Sequence, residues 1–400
     1  MKMIKKYLVF VQKILKRVVT VGLFYIMYPV LFFAPINKKK IVVSNFNGKG
    51  YGDSAKYICD YLLDQDKEID IVWLYEDKSV KYPATSFPKG IRPVKHKTVR
   101  ALMEMNTAKI WIDNCRKSFY PRKRKKQFYL QTWHAGFTLK KIERDAEESL
   151  PPLYKERAIK DSKMCDLLVF ESSDMIKDVH KTFWFEGETF RQGVPRNDII
   201  VNTPESIIHK VYNHFAIDLE KKILLYAPTF RQGYELKIDN NFLLKLKMEM
   251  SKKFSADYEL IVRLHPNDSE NKQRIFNTKD GNQLIDGSDY DDMQELLCAV
   301  DTLITDYSSV MGEMMISNKK CFIYAYDYEE YKQDRGLLIE LTELPFPIAF
   351  TEQELITKIV HFDETTYLLN IEKFKVEHNV IETGKASQEL GDKLINVMVE

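Results

Sequence analysis

Residues able to bind anions or move protons recur along this chain where a short apolar run ends. In QTWHAGFTLKK (131–141), Phe128-Tyr129-Leu130 leads into Thr132-Trp133, and His134 stands beside Ala135-Gly136. The spacing predicts a strand ending in a tight turn, with His134 at the carboxyl end, where ligands collect in open α/β sheets. An imidazole there either caps the turn or takes a proton near neutral pH. Thr229 and Arg231 close KILLYAPTFR, and Arg263 and His265 alternate out of YELIVRLHP. Each arginine is either a surface ion-pair partner or a planar fork for phosphate oxygens. Asp306-Tyr307-Ser308-Ser309 follows the run TLIT and opens a helical pattern over 310–316. Hydroxyls and free backbone N–H groups at a helix start make a phosphate cradle or a simple cap. Glu313, one turn past Ser309, shares its face, where a carboxylate would accept hydrogen bonds from a ribose.

Such turns need strands and helices in alternation to hold them. Lys40–Ser44 is an apolar strand running into NFNGKGYGDS (45–54) and then the helical pattern Ala55, Ile58, Cys59, Leu62, Leu63. Gly48 and Asp53 belong to this turn, which is either a plain connection or an anion or substrate site at a helix start. The glycine spacing matches neither the dinucleotide fingerprint nor the P-loop. Strands over 69–75 and 109–113 and a helix over 99–105 continue a rhythm that implies a parallel sheet with right-handed crossovers. A strand over 165–170 follows, and the turn-rich stretch 190–198 precedes the inter-lobe connection. The second half repeats the pattern: strands over 222–226, 258–264, 283–285, 302–305 and 321–324 and helices over 242–254, 293–300 and 310–316. The expected architecture is a membrane-associating segment over 1–39, a first Rossmann-like lobe over 40–200 and a second over 201–400. The last helix is free to pack back on the first lobe. A ligand cleft should lie between the lobes.

Composition narrows the class. With 44% hydrophobic and 30% charged residues the chain is globular rather than disordered. A net charge of +2 leaves anion binding to local patches. Five scattered cysteines without a CxxC pair support neither a disulfide framework nor a zinc knuckle, and fit a reducing, cytosolic compartment. Neither a clustered metal-ligand motif nor a DxD triplet is present, and Asp289-Tyr290-Asp291-Asp292 reads as a solvated lead-in to a helix. Residues 18–36 carry no charge and are bracketed by lysines, but Gly22 and Pro29 interrupt them. A basic anchor lying in the membrane plane competes with a single span. The stretch 116–126, with Arg116, Lys117, Arg122, Lys123, Arg124, Lys125 and Lys126, suits phosphates or an anionic membrane better than nucleic acid, since its basic-aromatic pattern occurs once.

QTWHAG…LKK, YAPTFR, RLHP and TDYSSVMGE, in that order, resemble the signature of the bacterial CDP-glycerol glycerophosphotransferases, the TagB/TagF-type enzymes of teichoic-acid synthesis. SNFNGKGYGDSAKYICDYL, GVPRND, Arg335-Gly336 and Pro345-Phe346-Pro347 extend the likeness over roughly residues 40–360. The resemblance implies a GT-B-like fold, with the nucleotide held mainly by the second lobe. It also implies transfer of glycerol phosphate from CDP-glycerol to a hydroxyl of a prenyl-diphosphate-linked acceptor, with release of CMP, at the cytoplasmic face of the cell membrane. It places the family's two histidines on His134 and His265, its phosphate-binding hydroxyls on Ser308 and Ser309, and its later acidic residue on Glu313. Arg231, Arg263, Thr229, Asp306, Lys140, Gly48 and Asp53 complete the expected substrate contacts. Ala135, Phe137-Thr138, Gln232 and Gly52-Asp53-Ser54-Ala55 depart from the usual pattern, so CDP-ribitol, or a nucleotide sugar on the same architecture, competes as donor. No cofactor is required, and a homo-oligomer is compatible with the sequence.

Overall fold

The computed structural model describes residues 29–76, 87–117, 122–170, 173–231, 239–265, 268–276 and 284–400, with Gly22 and Ile26. Two parallel sheets organise them. The first has seven strands in the order β3-β2-β1-β4-β5-β6-β7, and the second six in the order β10-β9-β8-β11-β12-β13. In the first, β1 (Asn37–Ser44) lies between β2 (Asp70–Tyr75) and β4 (Ala108–Asp113), followed outward by β5 (Phe128–Gln131), β6 (Leu167–Val169) and β7 (Glu188–Phe190). β3 (Ile91–Lys95) forms the far edge, where the missing N–H of Pro93 is tolerated. In the second, β8 (Lys222–Tyr226) and β11 (Thr302–Thr305) are central. β9 (Tyr258–Val262) and β10 (Ile285–Asp286) flank β8, while β12 (Lys320–Tyr324) and β13 (Ile348–Ala349) flank β11.

Both faces of each sheet are covered, as parallel sheets require. Along β1, Ile41 and Val43 pack with Ile58, Leu62 and Leu394, whereas Val42 packs on the other face with Val72, Trp111 and Tyr129. Helix Asp53–Gln65 buries Ala55, Ile58, Cys59, Leu62 and Leu63, the stripe expected from its apolar spacing. The last helix, Ala386–Val399, returns from the second lobe to lie on it. Gly391 permits this approach, since a Cβ there would stand 2.3 Å from the Tyr61 ring.

Several expectations are displaced. The sequence pattern suggests a helical stretch over 142–149 and then a polar region to Lys163; the structure has a 3-10 helix, Glu143–Ser149, and an α-helix, Pro152–Ser162. β3, β7 and β13 have no counterpart in the sequence reading. The tenth strand begins at Ile285, and Gln283 lies outside the described residues. So does most of the anticipated membrane-associating segment, everything before Pro29 except Gly22 and Ile26. Residues 29–32 are helical and Val30 and Phe33 are exposed. Among the described residues no helix is long and apolar enough to cross a membrane.

The basic loop is smaller than its sequence suggests. Arg116 is buried against Glu143 at 2.8 Å and Asp161 at 3.4 Å. Lys117 pairs with Asp113, Lys123 pairs with Asp166, and Arg124 donates to the carbonyl of Ala34 at 2.6 Å. Arg122, Lys125 and Lys126 remain exposed, and residues 118–121 lie outside the described set.

Candidate active site

The site forms where strand order reverses in the first sheet, between β1 and β4. Asn114, just past β4 and fully buried, is its hub. Its side-chain oxygen accepts the Phe46 N–H at 2.7 Å, and its amide nitrogen donates to Asn45 Oδ1 at 2.6 Å and Asp53 Oδ2 at 2.9 Å. Its carbonyl oxygen lies 2.7 Å from His134 Nδ1. A carbonyl can only accept, so Nδ1 carries the hydrogen and the neutral ring keeps its free lone pair on Nε2. The residue is exposed to solvent on one side and packs against Phe46, Trp133 and Cys115 on the other. Desolvation there is the main reason its pKa falls below the ordinary histidine value, with Arg196 adding to the fall and the Asn114 carbonyl and Asp53 opposing it.

The aim of His134 depends on an unusual backbone. Trp133 has φ +49°, rare for a bulky side chain, and is only 5% exposed. It is held there by its N–H to Gln131 Oε1 at 3.0 Å, by an edge contact with Phe183 and by the Arg116 guanidinium over its ring. The buried Arg116–Glu143–Asp161 cluster therefore supports the turn instead of binding phosphate.

Gly136 marks the crossing into the second lobe. A Cβ on it would approach Arg196 Nη2, Asn197 Nδ2 and Glu313 Oε1 within 3.2–3.3 Å. Beyond it Phe137 and Leu139 join the core of the second lobe, and Phe137 presses on Gly312. Lys140 bridges antiparallel to Leu337 and stands over the Tyr331 ring at 5.3 Å. One continuous segment thus carries His134 on the first lobe and anchors in the second.

In the second sheet the reversal lies between β8 and β11, and the residues expected there fall into two groups. Ser308 and Ser309 are half-buried at the start of helix Val310–Ile316, and His265 is exposed beside Phe230. Partial desolvation lowers the pKa of His265, the charge of Lys49 lowers it further, and Asp268 opposes the fall. Pro266, next to it, lies outside the described residues. The second group builds walls. Arg231 is locked between Asp306 at 2.8 Å and Asp327 at 2.6 Å, and Asp306 also accepts the Thr229 N–H at 2.8 Å. Arg263 donates to the carbonyls of Gly287 and Tyr290. Glu313 is buried and directed at Arg196, at 2.9 Å, so it is not a carboxylate open to a ribose. Gly48, with φ +102°, fits its turn against β2, where a Cβ would stand 2.7 Å from the Glu76 nitrogen. Asp53 is tied to Asn114 and Arg196. Asp292 is not solvated: it caps helix Met293–Ala299 and holds Lys56 of the first lobe at 2.7 Å. Asn114, Arg196 and Asn197 build the site without having been expected there. Their one signal was position, at a strand end and within GVPRND.

Among the described residues no group of three His, Cys, Asp or Glu side chains is placed to hold a metal ion. All five cysteines are free thiols.

Two doubly wound lobes joined through Arg196–Glu313, one carrying the His134 imidazole past a strand end and the other the Ser308 and Ser309 hydroxyls at a helix start, define a GT-B-type protein. The chain belongs to the CDP-glycerol:poly(glycerophosphate) glycerophosphotransferase family, whose profile matches residues 26–396. It is 30% identical over 380 residues to a teichoic acid poly(glycerol phosphate) polymerase of Staphylococcus epidermidis, covering 89% of this chain and 50% of that one. It is 28% identical to the polymerase of the same description from Bacillus spizizenii, covering 95% and 98%. The chain thus spans about half the length of the first relative and nearly all of the second. A solved variant of the wall teichoic acid polymerase TagF superposes with a TM-score of 0.81 at 26% identity, covering 97% of this chain and 98% of that one. A TagF variant soaked with CDPG superposes with a TM-score of 0.80 at 27% identity and the same coverage.

Proposed function

We propose that this protein transfers glycerol phosphate from CDP-glycerol to a hydroxyl of a prenyl-diphosphate-linked acceptor and releases CMP, in the synthesis of teichoic acid or a related cell-surface polymer. The observation that carries the reading is the His134 tautomer. With Nδ1–H held by the Asn114 carbonyl, Nε2 can accept a proton from an acceptor hydroxyl. The acceptor oxygen then forms a bond to the phosphorus bearing glycerol as the bond from that phosphorus to the CMP oxygen breaks. The electron pair leaves on CMP, and the proton from the hydroxyl stays on His134 until solvent takes it. Negative charge on the phosphates in that step is met from the second lobe by His265, Ser308 and Ser309. The reaction takes place at the cytoplasmic face of the cell membrane, where the apolar stretch 18–36 and the exposed Arg122, Lys125 and Lys126 supply attachment.

Mass spectrometry of the products from CDP-glycerol and from CDP-ribitol, each with a short prenyl-linked acceptor, tests this. The expected product is the acceptor enlarged by one or more glycerol phosphates, with matching CMP. Product from CDP-ribitol alone would replace the donor, and no CMP from either would overturn the reaction.

A further inference from the structure

Arg196 was not among the residues expected to matter, yet its guanidinium touches three parts of the cleft at once. Nη1 donates to Asp53 Oδ1 at 3.2 Å and to the backbone carbonyl of His134 at 3.0 Å. Nη2 donates to Glu313 Oε1, on the second lobe, at 2.9 Å. All three side chains are buried, and Asp53 is joined through Asn114 to the carbonyl that holds the His134 ring. The peptide group and the imidazole of His134 are therefore fixed by one connected network, whose only strongly charged fork is Arg196. Only a planar guanidinium presents donors in a fork that can reach three acceptors together; an ammonium is a point charge.

We infer that Arg196 is a positioning residue for the His134 base, fixing the histidine's own peptide group and making that alignment depend on the second lobe through Glu313. The inference rests on His134 acting as the base. It differs from a purely structural role because Arg196 also sets the charge facing the imidazole. The groups acting on that ring are Asp53, Arg196, Glu143 and the Asn114 carbonyl, with the Cys115 thiol 3.7 Å away. Removing the cation while Asp53 stays favours the imidazolium, so the acid limb of the activity profile must move to higher pH.

The test compares Arg196→Lys and Arg196→Gln in the full chain, with CMP release expressed per donor-competent site, counted by CDP-glycerol binding. Arg196→Lys retains the charge and loses the fork. We expect kcat to fall about 100-fold, as for a misplacement of about 1 Å, with donor affinity and the acid limb unchanged. Arg196→Gln should show the same loss and an acid limb displaced upward. Wild-type kcat per competent site in the lysine variant, or an unmoved acid limb in the glutamine variant, overturns the inference. Should the glutamine variant fail to fold, the lysine variant decides alone, since a merely structural arginine predicts fewer competent sites of undiminished kcat. Absence of CMP release from the wild type would instead remove the functional reading on which the inference rests.

Discussion

His134 and its neighbours separate residues that act on substrate from residues that hold the cleft. His134→Ala removes the Nε2 proposed as the base and should lower transfer about 10²–10⁴-fold while CDP-glycerol binds nearly as before. Calorimetry of donor binding beside CMP-release kinetics checks this, and near-wild-type turnover in a folded variant would reduce His134 to a turn cap. The pH profile carries a sign. Because desolvation holds the His134 pKa below its ordinary value, the neutral base persists to lower pH, and the acid limb should lie below about 6.5. Ser308→Ala with Ser309→Ala should weaken donor binding by about 1–3 kcal/mol if the phosphates are left facing empty positions. Arg231→Ala should behave differently. It strands the buried Asp306 and the half-buried Asp327 and should cost about 3–5 kcal/mol of stability in urea unfolding. A stable Arg231→Ala protein that had lost donor affinity would return that arginine to the substrate.

At the scale of elements, the segment 131–141 joins a strand end of one lobe to a helix face of the other. Phe137 is 2% exposed and belongs to the core of the second lobe, although its sequence neighbour His134 serves the first. Its seat requires Gly312, where a Cβ would stand 2.3 Å from the Phe137 Cβ. Phe137→Ala should cost about 3–5 kcal/mol. Gly312→Ala should destabilise in the native background but much less with Phe137→Gly, which removes the Cβ that the new methyl would meet. Additive losses in a double-mutant cycle would mean that the glycine serves its helix and not the docking of this segment.

Across the whole molecule, the lobes are joined by buried polar contacts as well as by Phe137. Lys56 and Tyr57 of the first lobe meet Asp292 of the second, and Arg196 meets Glu313. Attachment to the membrane is a separate proposal, placed in residues 1–39 with help from Arg122, Lys125 and Lys126. Removing that segment should give a more soluble protein that still turns over soluble acceptor analogues, and sedimentation with membranes in high salt would place the anchor elsewhere. Reversing the three loop charges should weaken binding to anionic vesicles more at low than at high ionic strength, because exposed charges are screened.

Local pattern was enough for the parts of this fold that local pattern encodes. Apolar runs in β1, β4, β8 and β11 and the stripe of helix Asp53–Gln65 are legible, because burial on both faces of a parallel sheet leaves few polar positions. The turn residues at their ends were legible too, since His134, Ser308 and Ser309 stand where chain direction and helix starts place them. Short edge strands such as β7 and β13 carry too few residues for periodicity to register, and Pro93 obscured β3. Which charged residues reach the cleft was decided by tertiary structure. Arg231 and Glu313 look like ligands in sequence, but burial leaves a charge stable only when paired, and the partners lie 75 residues apart for Arg231–Asp306 and 117 for Arg196–Glu313. The same long-range pairing brought Asn114 and Arg196 to His134. The sequence determined the lobes, the family likeness and the strand-end position of His134; the packing of one lobe on the other decided what holds that histidine in place.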